Sequence, residues 1–426
     1  MYPKSPPPAW HRRPAGIAVL AAGVLVLGLA ACGSSDSSSQ TKNGVTTLTW
    51  WDYFGYSPQS DSAVKTLIDK YQAGHPKVKI QRTSVGFADF HTKLVQAAAT
   101  GHFPDIAAID NADVPVFASQ GALADMSKYL EAWSQKGQYL PAVLQSTKYA
   151  GKDYGIPFRS NTTALWYNQD AFTEAGITTP PATWDELRAD AKKLTTPKHS
   201  GICFSAAATD EGTFTFLPML WQAGGDVKSI GDSASVAALN YVKNLVVVDK
   251  SAPPSVLQWG QSDVGDQFGS GQCAMMFNGP WVLPSAKKGG FKFATAPWPA
   301  GPAGTASPLG GEVWAVGKQV KDLSTVWDVL SWMGDPKNSA TEVGTGLSSI
   351  PNRKDTVSDQ TWQWDPTVTT FANQMSSAHA RGVYGPNYAQ ISQAISGMEQ
   401  QVLAQGKDPQ EAATAAAAKI KPLLPK

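Results

Sequence analysis

The 426-residue sequence has almost no charge imbalance: 35 Lys and Arg stand against 34 Asp and Glu, a formal net charge of +1. A nucleic-acid backbone or an anionic bilayer surface calls for a basic excess, so no nucleic-acid partner is expected. Disorder, which needs low hydrophobicity together with high net charge, is excluded by a 42% hydrophobic content. Cysteine is scarce, three residues with no Cys-x-x-Cys pair, and histidine numbers only six, so no metal cluster, dithiol centre or cofactor is expected. The motifs His-Glu-x-x-His, Gly-x-Ser-x-Gly and Gly-x-Gly-x-x-Gly are all missing. The stretch from Gly311 to Gln319 misses a phosphate loop by one residue and lacks its Ser or Thr. At this length the chain exceeds the roughly 250 to 300 residues at which a single core stops growing, so two globular units with a cleft are expected.

Lys4, His11, Arg12 and Arg13 precede an uncharged run from Ile17 to Ala31, fifteen residues long. A bilayer-spanning helix needs about 20, so residues 1–31 read as a signal peptide. The run ends Leu29-Ala30-Ala31-Cys32 and turns into GSSDSSSQTKNG, a polar tether expected over 32–44. This arrangement resembles a bacterial lipoprotein signal, which implies cleavage before Cys32 and lipidation of its thiol. The alternative is an ordinary secretory signal with a chance cysteine. Export by the general or the twin-arginine route stays open. Cys203 and Cys273 sit in short apolar segments, GICF and CAMMF, and leave two readings: a buried disulfide or two inert thiols.

VTTLTWW alternates and is β-branched, so it predicts a strand ending at Trp50 or Trp51. Val64, Leu67, Ile68 and Tyr71 recur at helical spacing up to Gly74 and Pro76; VKI at 78–80 follows as a strand. Phe90, Leu94 and Ala98 predict a second helix, and DIAAI at 105–109 a short buried strand. Alternating strands and helices imply a mostly parallel sheet, which binds ligands at strand carboxyl ends. Asp52 and Tyr53 follow the first strand, Asp110 and Asn111 the third, and these four are candidates on that ground. Further on, Thr183 and Glu186 have capping-box spacing, the Pro/Gly-rich stretch 297–312 reads as a connection, and Asp408-Pro409-Gln410-Glu411 starts the last helix.

Taken in order, the lipoprotein signal, YGIPF with ALWYN, TWDEL with AKKLT, LWQAGG, AMMFNGPW and the paired glycines before a strand resemble the extracellular sugar-binding proteins of ABC importers, the class that includes maltose-binding protein. The resemblance covers nearly all of the chain after Cys32. It implies an α/β, two-lobed periplasmic-binding-protein-like fold of type II, with parallel-sheet lobes and a ligand cleft at a three-crossing hinge. Mapped onto this chain, lobe 1 is 45–158 plus 305–345 and lobe 2 is 159–300 plus 350–426, with crossings near 157–163, 298–306 and 344–352. The implied partners are a sugar, a permease and its cytoplasmic ATPase, with the chain a lipid-anchored monomer on the outer face of the cytoplasmic membrane.

A sugar needs an aromatic ring against its C–H face and carboxylates, amides or guanidinium around its hydroxyl rim. The resemblance assigns the ring to Trp281 in the NGPW turn, with a core tryptophan as the alternative. It gives a hydroxyl-accepting carboxylate to Asp110, whose alternative role is a helix cap. Asn161 falls where maltose-binding protein carries a ligand carboxylate, which argues against maltose itself. Glu211 lies near another family carboxylate or is simply solvated, and Trp221 lines the cleft or the lobe core. Gly310, Gly311 and Glu312 open a strand where backbone N–H groups approach the ligand, or form a plain turn. Arg381 and Tyr384 sit in a late loop, where Arg381 has the shape to fork onto two hydroxyls. Two rivals remain: a non-sugar solute such as a glycerophosphodiester, and a glycoside hydrolase, which also sets carboxylates and tryptophans in a cleft.

Overall fold

The structure is a computed structural model that describes residues 40–425, except 358, 360, 361, 363 and 364. The expected signal peptide, most of the tether and the Cys32 lipidation site lie outside the described residues. Gln40–Lys42 form a strand, so the last part of the expected tether is paired structure.

The chain opens with strands β1 (Gln40–Lys42) and β2 (Val45–Asp52), helix α1 (Pro58–Gly74), β3 (Val78–Ser84), α2 (Phe87–Ala99) and β4 (Ile106–Asp110). There follow β5 (Gly155–Asn161), β6 (Ala164–Asn168), α3 (Trp184–Leu194), α4 (Asp210–Gln222), α5 (Ser233–Lys243) and α6 (Gln261–Gly269). Next come β7 (Met275–Asn278), β8 (Phe293–Ala296), β9 (Ser307–Val316) and α7 (Leu323–Met333), then β10 (Ala378–Ala380), α8 (Tyr388–Leu403) and α9 (Pro409–Ile420). Local chemistry sets the helix starts. Ser57 accepts the Ser60 N–H ahead of Pro58, and Asp408 accepts from Gln410 and Glu411 ahead of Pro409. Thr183 caps α3, while the Glu186 carboxylate reaches the Ala182 N–H rather than closing the box on Thr183.

Hydrogen bonds order the larger sheet β3–β2–β4–β9–β5, with β1 beside the start of β2 and β10 beside the start of β9. β2, β3 and β4 are parallel, as expected, but β9 runs antiparallel to both β4 and β5. The smaller sheet, β8–β6–β7, is antiparallel throughout, and residues 200–203 bridge onto β7 in parallel. The sheets are therefore mixed, because the chain passes directly between them at Asn161–Ala164 and returns at Ala296–Ser307 without a helical crossover. Ser307–Glu312, expected as connection, are already strand.

Two large apolar cores follow. One packs Leu48, Trp50, Leu67, Ile106 and Ile109 with Trp314 and Leu330. The other packs Leu187, Phe204, Leu217 and Leu239 with the helical stripe Ile391, Ile395, Met398 and Val402. Trp362, expected in the second lobe, packs in the first core. Cys203 and Cys273 are joined as a disulfide, Cα atoms 5.9 Å apart, tying the 200–203 segment to the chain two residues ahead of β7. Among the described residues no helix is long and apolar enough to cross a membrane.

Candidate functional site

Strand direction brings the site together. β2, β4 and β5 point the same way, so Tyr53, Asp110 and Asn161 emerge at one end of the sheet. The antiparallel β9 crosses that end with its glycines: Glu312 lies opposite Asp110 on one side and Arg159 on the other, and Gly310 lies opposite Asn161. A bulge falls between Glu312 and Val313. Gly311 there has φ +112°, and a Cβ on it would sit 2.2 Å from the Arg159 carbonyl oxygen, so glycine is required on both counts.

These residues line a cavity of about 300 Å³, completed from the other side by the start of α4, by Gly260–Asp263 and by Trp281. Of the twelve sequence candidates, the cavity gathers Tyr53, Asp110, Asn161, Glu211, Trp281, Gly311, Glu312 and Arg381. The Trp281 ring lies on Gly279, where a Cβ would approach its Cζ3 to 1.9 Å. The indole is thereby packed against that backbone while the residue stays on the cavity wall.

Two arginine clusters organise the polar wall. Arg159 pairs through Nε and Nη2 with Glu312, whose Oε1 also accepts the Tyr53 hydroxyl, and its Nη1 donates to the Leu347 carbonyl at 2.5 Å. The Arg159 guanidinium also lies over the Phe54 ring, 5.0 Å from its centroid. Burial pushes the Tyr53 phenol well up, and the neighbouring Glu312 charge adds to it. In the second cluster Arg381, only 1% exposed, donates through Nη2 to both Asp110 oxygens (2.7 and 2.9 Å) and through Nη1 to Asp210 (2.7 Å). Its guanidinium stacks over Phe214 at 4.6 Å. Burial pushes the Asp110 carboxyl up to about 6, against the opposing pull of Arg381. Burial also raises Glu211, which accepts the Gln261 N–H at 3.2 Å.

Four candidates lie elsewhere. Asp52 is fully buried behind the strand, accepting from the Trp50 indole (2.7 Å), the Phe54 N–H (3.0 Å) and Arg82 (2.6 and 2.9 Å). Asn111 is buried with its amide 3.5 Å from the Leu309 carbonyl. Trp221 is a core residue stacked on His379 at 4.6 Å, its indole donating to the Tyr384 hydroxyl, and Tyr384 in turn donates to Asp226. Arg381 does line the cavity, but its fork already holds two carboxylates rather than standing free for hydroxyls.

The sequence reading missed Tyr56, Phe87, Asp210, Phe214 and Gly260–Asp263 as cavity residues. Phe87 opens α2, and Tyr56 ends the short 3-10 turn Phe54–Tyr56 that follows Tyr53; both are nearly half exposed, 46% and 45%, at the cavity. An aromatic residue at a helix start or in the loop after a strand's carboxyl end was the available signal. Asp210 carried only the signal of an acidic residue in a first helical turn. Among the described residues no group of three His, Cys, Asp or Glu side chains could hold a metal ion.

Residues 55–340 match the family described as bacterial extracellular solute-binding protein. An uncharacterised lipoprotein of Streptomyces antibioticus is 26% identical over 86% of this chain and 84% of its own length. The crystal structure of an ABC transporter solute-binding protein from Thermotoga lettingae bound with α-D-tagatose superposes with a TM-score of 0.80 at 26% identity, covering 89% of this chain and 100% of that one. The GacH receptor of Streptomyces glaucescens, solved unliganded and with acarbose, gives 0.78 at 28% identity, covering 89% and 98%.

Proposed function

The chain belongs to the bacterial extracellular solute-binding proteins, and from that premise we propose that it captures a mono- or oligosaccharide between its two cores and delivers it unaltered to the permease of an ABC transporter. The observation that carries this reading is the cavity wall itself. A tryptophan ring backed by Gly279 faces a space edged by carboxylates, an asparagine and a glutamine, the pairing of apolar face and polar rim that a sugar needs. A buried sugar hydroxyl left unpaired costs roughly 1 to 3 kcal/mol, so rim groups such as Asp110, Asn161 and Glu312 favour a polyhydroxylated solute over an apolar one. At about 300 Å³ the cavity is at the lower end of the range for small-molecule sites. The relatives solved with tagatose and acarbose support the same class of ligand.

Capture works as a population shift. Moving an open-to-closed balance from 1:99 to 99:1 takes about 5.5 kcal/mol of preferential binding to the closed form, supplied by contacts on both sides of the cavity. The chain acts as a monomer, held to the outer face of the cytoplasmic membrane by lipid on Cys32, and a cytoplasmic ATPase drives transport; the lipoprotein relative supports the anchor.

Thermal stabilisation of the protein by a panel of saccharides, polyols and glycerophosphodiesters tests the reading. A ligand at 100 times its Kd stabilises the fold by about 2.7 kcal/mol. At least one saccharide is expected to raise Tm and to be recovered chemically intact. Stabilisation by glycerophosphodiesters alone would replace sugar with that solute, and hydrolysis of the hit would turn the protein into a glycosidase.

A further inference from the structure

The cavity carries five carboxylates, Asp110, Asp210, Glu211, Asp263 and Glu312, against two guanidiniums, Arg159 and Arg381, a formal excess of three negative charges. Among the described residues no lysine or histidine lines it. The carboxylates fall into two groups. Asp110 and Asp210 share Arg381, and Glu312 holds Arg159, so both guanidiniums are committed to the protein's own anions. Asp210 is occupied further, accepting the hydroxyls of Tyr388 (2.9 Å) and Ser392 (2.7 Å).

Glu211 and Asp263 differ. Neither has an ion-pair partner among the described residues, and each has a neutral backbone N–H instead. Glu211 Oε1 takes the Gln261 N–H at 3.2 Å, and Asp263 Oδ2 takes the Gly260 N–H at 2.9 Å. The two N–H groups are adjacent in the chain. A Cβ on Gly260 would fall 2.5 Å from Glu211 Oε2, so a side chain at 260 would push the carboxylate away from this turn. Glu211 and Asp263 thus present, to the cavity that Trp281 also lines, two carboxylates without an ion-pair partner among the described residues.

We propose that the cavity takes a glycoside bearing a protonated amine, with Glu211 and Asp263 as the residues that meet the nitrogen, and that it rejects anionic solutes. This rests on the sugar-capture reading and narrows it. An ammonium group gains charge-assisted hydrogen bonds from these carboxylates, whereas a phosphate or uronate would enter a field of its own sign with no uncommitted cation to receive it.

The test is a matched panel measured by calorimetry: glucose, galactose and mannose, and the disaccharides cellobiose and maltose, each beside its amino-sugar and uronic-acid form. Within the sugars that bind, the amino form is expected to bind on the order of tenfold tighter than its parent, and the uronic acid more weakly than either. The ratio of amino to parent affinity is expected to fall toward one in Glu211→Gln, which keeps an acceptor for the Gln261 N–H. Raising ionic strength should erode the amine's advantage without moving the parent's affinity, a readout that needs no variant. Equal affinities for amine and parent, or a uronic acid binding best, overturn the proposal and leave sugar capture standing. Silence from all members of the panel overturns both.

Discussion

The two arginine clusters of the cavity use the same chemistry for different ends. Arg159 and Glu312 sit on neighbouring strands, β5 and β9, of one sheet and directly opposite in register. That pair braces the sheet end from within. Arg381 instead joins Asp110, at the end of a strand whose residues fill the first core, to Asp210, at the start of a helix whose residues fill the second. The first cluster fixes the shape of one wall, while the second holds the two walls against each other. A buried ion pair is weak evidence of net stability, but breaking one from one side leaves an uncompensated charge.

That contrast is open to experiment. Arg159→Met strands the buried Glu312 carboxylate and is expected to cost about 3–5 kcal/mol in urea unfolding; a midpoint unchanged from the native protein would deny the brace. In Arg381→Met a comparable loss is expected, but adding Asp210→Asn should recover part of it, because the repulsion between Asp110 and Asp210 is then relieved. No neutralisation should rescue Arg159→Met as well, except Glu312→Gln. Gly311→Ala is expected to lose about 2 kcal/mol or more, since both φ and the Arg159 carbonyl oppose a side chain there. Trp281→Ala should leave the urea midpoint near native while weakening the best saccharide by roughly 2 kcal/mol, the size of an interface hot spot.

The smallest effect is in pH. Burial holds Asp110 near 6, above the unfolded carboxylate, so the folded state takes up its proton first. The cost of burying this charge is therefore present at neutral pH and relieved as pH falls from 6 toward 4, which favours the fold. Saccharide affinity should move the opposite way, falling below pH 6 as Asp110 loses its capacity to accept from the rim hydroxyls. Asp110→Asn should abolish the acid-side fall in affinity, as measured by calorimetry across pH 5–7.

Much of the fold was legible because its elements carry local signals. β2 alternates, α1 and α8 show their buried stripes, and the caps at Thr183 and Asp408 lie in the first turns they close. Asp110 was open to the same local reading, at the end of an apolar strand, whereas Trp281 was reached through the family resemblance; both line the cavity. Asp52 misled because it ends the strand that Tyr53 follows but does not share its face. Successive residues of a strand point oppositely, and Asp52 follows Trp50 to the side where Arg82 of β3 waits. Asp210 was illegible for a different reason. Its partner Arg381 is 171 residues away, and nothing near either residue announces the other. The antiparallel course of β9 was hidden likewise, since strand direction depends on where the chain re-enters the sheet and not on the composition of PLGGEVWAV.

The most direct test is a co-crystal structure with the saccharide that most raises Tm. An intact sugar ring stacked on Trp281, with hydroxyls reaching Asp110 or Glu312 on one side and the Gly260–Asp263 turn on the other, is the predicted result. A cleaved sugar, or one bound away from this cavity, would contradict capture between the two cores.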